Sequence, residues 1–202
     1  EPNRPFICYT TAAPGAVKNE QTIIAGLVES VSEGGLPKRP QLLLRVNPMD
    51  DTQVMSQFAG RPGIIVHRPA WEWNRRQDWC CALASDVPVW VSTVMHAALN
   101  VSIPSTVTLE FAVFGKPVVN VCYDLPSPLP PSRSNRRFWE APHYEESRTR
   151  GLCAAAYSEG ELLAHIGETL QRAQDTELPQ VHGSEMLPVE RAAELVEEAL
   201  AT

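Results

Sequence analysis

Residues 103–124 read IPSTVTLEFAVFGKPVVNVCYD, and this stretch decides the fold. Pro104 ends whatever precedes it, and Ser105 or Thr106 is a good N-cap for a short helix. From Thr106 to Phe114 the apolar residues Val107, Phe111 and Phe114 fall on one helical face. Gly115 is a natural stop, and Lys116-Pro117 leads into the apolar run Val118–Cys122, the signature of a buried strand. A strand, a turn, a helix and a second strand in this order predict a parallel α/β sheet.

The pattern repeats outward in both directions. Strands are expected at Pro5–Thr11, Gln41–Val46, Gly63–His67, Leu99–Ile103, Val118–Tyr123 and Gly151–Tyr157. Between them fall a helix over Val17–Glu33 with the stripe Ile23, Ile24, Leu27, Val28 and Val31, closed by Gly34-Gly35, and a short helix over Asp50–Phe58. A third runs from Asp86, read as its N-cap, to His96. Ser158 and Glu161 form a capping-box pattern ahead of the stripe Leu162, Leu163, Ile166 and Leu170. Arg68–Ser85 reads as a long loop with a helical patch over Trp79–Ala84. Leu125–Arg150, with five prolines, five arginines and no period, reads as a functional flap or a disordered loop. Residues 1–175 are then one domain, and 176–202 a polar linker with an amphipathic helix over Val189–Ala201.

Composition narrows the function. The chain has 202 residues and a net charge of −7. From Glu159 onward ten acidic residues face two basic ones, so the part before it is nearly neutral and the tail is acidic. A nucleic-acid partner would call for a basic patch, which is missing. The five cysteines show no Cys-x-x-Cys spacing and read as apolar filler in a reducing cytoplasm. The run Val87–Val101 is too short and too polar to be a transmembrane segment.

A Ser-Thr helix N-terminus favours an anion, because its free N–H groups and the macrodipole act together. Glu110 sits one turn inward, within reach of the vicinal hydroxyls of a ribose whose phosphates rest on the helix tip. Ser105, Thr106 and Glu110 therefore read as a nucleotide-diphosphate site; the plain alternative is a capped surface helix with a solvated Glu110. Arg45 ends a strand, where ligands gather outside a parallel sheet. It either forks onto a phosphate or pairs with Asp50 or Asp51. Thr10, Thr11 and Gly15 flank the first strand-to-helix turn, another place for a phosphate. His67-Arg68 with Trp71 and Trp73 either wall a nucleobase or cover the sheet edge. Arg133, Arg136 and Arg137 either close over a diphosphate, bind an acidic acceptor or solubilise the loop. No Asp-x-Asp pair, Walker loop, Gly-x-Gly-x-x-Gly or Gly-x-Ser-x-Gly element occurs, so no metal and no cofactor beyond the nucleotide is expected.

Ser-Thr-x-x-x-Glu at 105–110, the following helix, Gly115-Lys116-Pro117 and the Val-rich strand resemble the donor-binding, C-terminal half of GT-B glycosyltransferases. The likeness is to bacterial enzymes of surface and capsular polysaccharide synthesis, and it extends over residues 5–175. Leu42–Asp50 is similar to the family's strand-Arg-His-Pro segment, with Asn47 in place of His. Asp86–Ser102 resembles the helix and strand before the Ser-Thr turn, with Ala98 where Asp often stands. His143-Tyr144 resembles a His-Tyr pair after a variable loop. The resemblance implies a Rossmann-like parallel sheet of about six strands with helices on both faces, one half of a GT-B fold. It implies metal-independent transfer of a sugar from a nucleotide-sugar to a glycan or lipid-linked acceptor. The helix tip, Arg45 and His143 would act on the leaving diphosphate, and Tyr144 would contact the donor. The partner would be an N-terminal GT-B domain, in a cytoplasmic or membrane-peripheral enzyme. The chain begins Glu1-Pro2 without Met, which reads as a fragment or a processed product. A nucleotide-sugar 2-epimerase, a polyol-phosphate transferase and a non-catalytic nucleotide-binding module are the rival readings.

Overall fold

The computed structural model describes residues 4–74 and 79–172. Six strands form one all-parallel sheet: β1 (Phe6–Thr10), β2 (Gln41–Arg45), β3 (Ile64–His67), β6 (Leu99–Ser102), β7 (Val118–Val121) and β8 (Ala154–Ala156). Their spatial order is β3-β2-β1-β6-β7-β8. A separate hairpin pairs β4 (Trp71–Asn74) with β5 (Trp79–Ala82). The helices are α1 (Glu20–Ser32), α2 (Asp86–His96), α3 (Val107–Val113), α4 (Arg136–Trp139), α5 (Glu145–Thr149) and α6 (Glu159–Arg172).

Both faces of the sheet are covered, which is why its strands are apolar without alternation. On one face Ile7, Tyr9, Leu42, Leu44, Leu99, Val101, Val119 and Val121 pack with Ile23, Ile24, Leu27 and Val28 of α1 and Leu162, Ile166 and Leu170 of α6. On the other, Cys8 and Val118 meet Val94 of α2 and Phe111 of α3. The expected stripe of α1 is buried, and of that of α6 Leu162, Ile166 and Leu170 are buried while Leu163 is half-buried. The Ser158 hydroxyl accepts from the Glu161 N–H at 3.2 Å, and Glu161 accepts from the Tyr157 N–H at 2.8 Å. Gly115 takes φ 64°, a left-handed value open to glycine, and so turns α3 into β7.

Four expectations are corrected. Trp79–Ala84 is not helical: Trp79–Ala82 is strand, paired antiparallel with Trp71–Asn74, as its aromatic and Cys-Cys composition favours on a pleated surface. Asp50–Phe58 is helical only as a 3-10 segment over Val54–Phe58, because the Asp50 carboxylate accepts from the Thr52 N–H (2.9 Å) and hydroxyl (2.6 Å) and holds a turn. The first helix starts at Glu20 rather than Val17, after a turn that ends with Asn19 at φ 58°. Residues 125–150 hold α4, a 3-10 turn over Pro142–Tyr144 and α5, elements too short to leave a period. Asp124 fastens this segment by accepting from the Asn135 N–H at 2.9 Å and the Leu129 N–H at 3.3 Å. The expected linker and helix after residue 175 lie outside the described residues.

Leu44→Ala, which empties a fully buried site between the sheet and α1, is expected to cost about 2–5 kcal/mol in urea denaturation. Leu109→Ala, on the solvent side of α3, is expected to stay within about 0.5 kcal/mol.

Candidate functional site

The chain leaves β1 toward β2 and β3 on one side, and leaves β6 toward β7 and β8 on the other. The loops after β1 and β6 therefore part company, and a crevice opens between them at the carboxyl ends of the strands. Thr10 and Ser102 are register partners across this point. The Thr11 loop and the Ser105–Thr106 turn are thus brought to one edge on adjacent strands.

The Ser105–Thr106 turn opens α3, whose first residue is Val107; Thr106 is the cap and makes no side-chain capping bond. Among the described residues the backbone N–H groups of Ser105, Thr106 and Val107 have no partner, as helix geometry dictates for a first turn. Beneath the turn lies a closed polar network. The Tyr144 hydroxyl is 2.5 Å from Thr108 Oγ1, 2.9 Å from Asn120 Oδ1 and 3.4 Å from the Ser105 carbonyl. Asn120 Nδ2 donates to Thr108 Oγ1 (3.1 Å) and Ser102 Oγ (3.3 Å). Tyr144 is buried and holds the turn from below. Burial pushes its hydroxyl well above the usual phenol range. His143 is exposed beside it, with the two rings edge to face at 6.3 Å.

Arg45 is buried, with both terminal nitrogens bonded. Its Nη2 donates to Asp86 Oδ2 at 2.6 Å, its Nη1 lies 3.1 Å from His67 Nδ1, and the guanidinium sits 4.6 Å over the Trp90 ring. The pairing partner is Asp86, not Asp50 or Asp51. Asp86 was read as a helix cap, but its carboxylate turns inward and also accepts from the Ala70 N–H (3.2 Å) and Trp71 Nε1 (3.1 Å). Burial pushes this carboxyl up, yet the hydrogen bonds from Arg45 and Trp71 outweigh it and hold it below the usual range. Burial, then the Arg45 charge, lowers His67, so its Nδ1 accepts from Arg45 in the neutral ring. Trp90 extends the network: its Nε1 donates to Glu110 Oε2 at 2.6 Å, and its ring meets Phe111 edge to face at 5.8 Å. Arg45 therefore bonds His67 and Asp86 directly and meets Glu110 through Trp90. Trp71 belongs to the same cluster, while the side chain of Trp73 lies outside the described residues.

The first turn has a carboxyl of its own. Glu20, buried at the start of α1, accepts the Ala12 N–H on both oxygens (3.0 and 3.1 Å) and the Tyr9 hydroxyl at 3.1 Å. The phosphate position read at Thr10, Thr11 and Gly15 is filled there by the chain's own carboxyl. Thr11 is buried, and its Oγ1 accepts from the Asn47 N–H at 2.8 Å, joining the ends of β1 and β2. Burial raises Glu20 to about 7, against the lowering effect of Ala12 and Tyr9. Sequence reading missed Glu20 and Asp86; an acidic residue in a helix first turn was the available signal for both, and it pointed to capping. Of the loop cations, Arg136 pairs with Glu140 at 2.6 Å and Arg137 donates to the Ala16 carbonyl while stacking 4.2 Å from Phe138. The loop is thereby tied to the first turn.

Among the described residues no group of three or more His, Cys, Asp or Glu side chains is placed to hold a metal, and no helix is long and apolar enough to cross a membrane.

The sequence matches no protein-family model, and comparison with curated proteins gives no match. Solved structures do match. The Methanocaldococcus jannaschii UDP-GlcNAc 2-epimerase, solved in complex with UDP-GlcNAc and UDP, is 12% identical with a TM-score of 0.53 over 96% of this chain and 46% of that one. The calicheamicin glycosyltransferase CalG4 is 17% identical, with a TM-score of 0.45 over 100% of this chain and 43% of that one. The glycosyltransferase SnogD from Streptomyces nogalater is 18% identical, with a TM-score of 0.43 over 97% and 44%. The chain thus spans less than half the length of each of these proteins.

Two measurements check this geometry. Tyr144→Phe is expected to cost about 1–3 kcal/mol by urea unfolding, since it strips a buried network of its hydroxyl, whereas His143→Ala should stay within about 0.5 kcal/mol. Burial pushes the Glu20 carboxyl up from 4.5 to about 7, so its contribution is full below pH 4.5 and is lost as pH rises through 7. Relative to Glu20→Gln, the native chain should lose up to about 1.4 kcal/mol of stability per pH unit between pH 5 and 7 and run parallel above 8. Parallel curves throughout would mean that Glu20 is ionised across that range.

The architecture, six parallel strands reversing at β1 and β6 under helices on both faces, is a Rossmann-like α/β fold, and it is the fold shared with the epimerase.

Proposed function

We propose that this chain is the nucleotide-sugar-binding domain of a GT-B glycosyltransferase, working in polysaccharide or surface-glycan synthesis on a glycan or lipid-linked acceptor. The observation that supports this most is the Ser105–Val107 turn: three unpartnered backbone N–H groups at the switch point, braced from beneath by Tyr144, Thr108 and Asn120. A diphosphate would rest on those groups, where charge growing on a leaving group is stabilised by dipoles already in place. His143, beside the Tyr144 ring, would act on the same charge. Thr11 would close the other side of the crevice, with His67 and Trp71 farther along the edge toward the base.

Arg45 enters this reading as a positioning residue, since its donors are held by Asp86 and His67. Glu110 would take the ribose hydroxyls with the carboxylate that now accepts from Trp90. An N-terminal domain would supply the second wall and the general base. No metal is called for in this scheme. The engagement of Arg45 and Glu110, together with Glu20 in the first turn, favours a second reading: a nucleotide-binding module that performs no transfer.

Thermal unfolding with UDP, GDP, CDP, ADP and dTDP tests the site. The matching diphosphate at about 100 times its Kd should add roughly 2.7 kcal/mol of stability, in EDTA as in buffer, and its nucleoside alone should add nothing measurable. No shift with any diphosphate at millimolar concentration would remove the assignment. Glu110→Gln should weaken the ribonucleotide roughly ten- to hundredfold and the deoxy form less. Equal loss for both would take Glu110 away from the ribose. Incubation with a nucleotide-sugar and no acceptor separates the enzymes: a changed sugar means epimerisation.

A further inference from the structure

The loop that joins β1 to α1 stands beside the Ser105 turn at the crevice, and it is lightly held. Pro14, Gly15, Lys18 and Asn19 are exposed, and a β-carbon on Gly15 would meet nothing within 4 Å. Ala12 and Val17 pack on the core near its two ends. Besides the bonds to Glu20, two hydrogen bonds hold residues 12–18 among the described residues. The Ala16 N–H donates to the Ala13 carbonyl at 3.0 Å, and Arg137 donates to the Ala16 carbonyl. Segments with so few buried contacts are the ones that open on their own, apart from the core.

Glu20 anchors this loop from its far end. The side chain is 7% exposed, and both of its oxygens accept from the Ala12 N–H, at 3.0 and 3.1 Å. The Tyr9 hydroxyl on β1 donates to the first of them at 3.1 Å. Other charged and titratable groups nearby do not balance a charge on it. Asp50, after β2, opposes a second negative charge, and Tyr123, at the end of β7, faces Tyr9. Arg137, from α4, ends on the Ala16 carbonyl, and Lys18 is exposed on the loop itself. No Lys, Arg or His forms an ion pair with Glu20 among the described residues. Burial without a countercharge favours the neutral carboxyl, raised to about 7, whereas in water it would ionise near 4.5. The sign follows: closure is full below pH 4.5 and weakens as pH rises through 7, the proton leaving to solvent. Opening would free the Ala12 N–H next to those of Ala13 and Gly15, which have no partner among the described residues.

We propose that Glu20 is a latch on the crevice: by holding Ala12 it shuts the first turn against a ligand anion, and it releases that N–H when its carboxyl ionises. A phosphorylated ligand would then meet donors on both walls, at Ala12 as well as at Ser105–Val107. That the crevice receives such a ligand rests on the function proposed above; the latch itself does not.

Amide exchange of the full chain, with each rate referred to its intrinsic value at the same pH, tests the latch without a ligand. Protection of Ala12 and Ala16 should fall about tenfold or more from about pH 5.5 to about pH 8. The opening should be local, so that about 1 M urea leaves it unchanged while it speeds exchange at Leu44 and Ile166 in the core. In Glu20→Gln, which can still accept from Ala12 and has no proton to lose, protection should stay flat. The Glu20 carboxyl carbon, followed in the native chain, should titrate with the same midpoint as Ala12 protection, a reading that needs no variant. With inorganic pyrophosphate as the probe, the amides of 105–107 should shift at both pH values. That of Ala12 should shift only near pH 8, and not in Glu20→Gln. The proposal is overturned by protection that ignores pH, by opening that occurs only with the core, or by a midpoint unlike that of Glu20. An Ala12 amide that answers pyrophosphate alike at both pH values overturns it too. Amides of 105–107 that never move would instead remove the proposed function, while the exchange data would still decide the latch.

Discussion

The buried ion pair between Arg45 and Asp86 organises the carboxyl edge of this sheet. It joins the end of β2 to the start of α2 across 41 residues of sequence, and each partner recruits further groups. Asp86 fixes the entry to the β4–β5 hairpin through Ala70 and Trp71, and Arg45 fixes His67 at the end of β3 and the indole of Trp90. Trp90 then reaches α3 through Phe111 and Glu110. Removing two charges from water is costly, and such a pair holds only when the remaining donors and acceptors are satisfied. Here Asp86 accepts three hydrogen bonds besides its Coulomb attraction to Arg45, a degree of satisfaction consistent with a carboxylate that stays ionised in the interior.

A second constraint acts on the crevice itself. Parallel strands leave the chain no room for a short return, so the loops after β1 and β6 must diverge where the strand order reverses. Each loop is braced differently. The β1 side is closed around its own carboxyl, Glu20, and the Pro/Arg segment leans on it through Arg137. The β6 side stands open at Ser105–Val107, but its underside is fixed by Tyr144, Asn120 and Thr108. An anion entering the crevice therefore meets one wall whose Ala12 N–H is already taken by the Glu20 carboxyl and one wall presenting free donors. That asymmetry gives the Ser105 turn, rather than the first turn, the better claim to a phosphate.

Much of the fold was legible from local pattern. The stripe of α1, the Gly115 stop and the Ser158–Glu161 box are consequences of a few neighbouring residues, and each forms as expected. What was not legible depends on distance. The Asp86 side chain has a helix N-terminus as its local option and an arginine 41 residues away as its tertiary one, and the tertiary one wins. Glu20 likewise prefers the Ala12 N–H to solvent. Trp79–Ala82 needed its partner at Trp71–Asn74 to be recognised as a strand. For the candidate site, sequence named Ser105, Thr106, Glu110, Arg45 and Tyr144, but it did not show that Arg45 and Tyr144 are buried. Their burial is a property of the packed edge, which no single segment encodes.

The central claim is that an anion is received by the backbone of Ser105, Thr106 and Val107. The most direct measurement is a titration of the isotope-labelled chain with UDP, followed by amide chemical shifts. The amides of residues 105–107 should move first and farthest, ahead of those of the Arg45–Asp86 cluster. Perturbation confined to the first turn around Ala12 would contradict it.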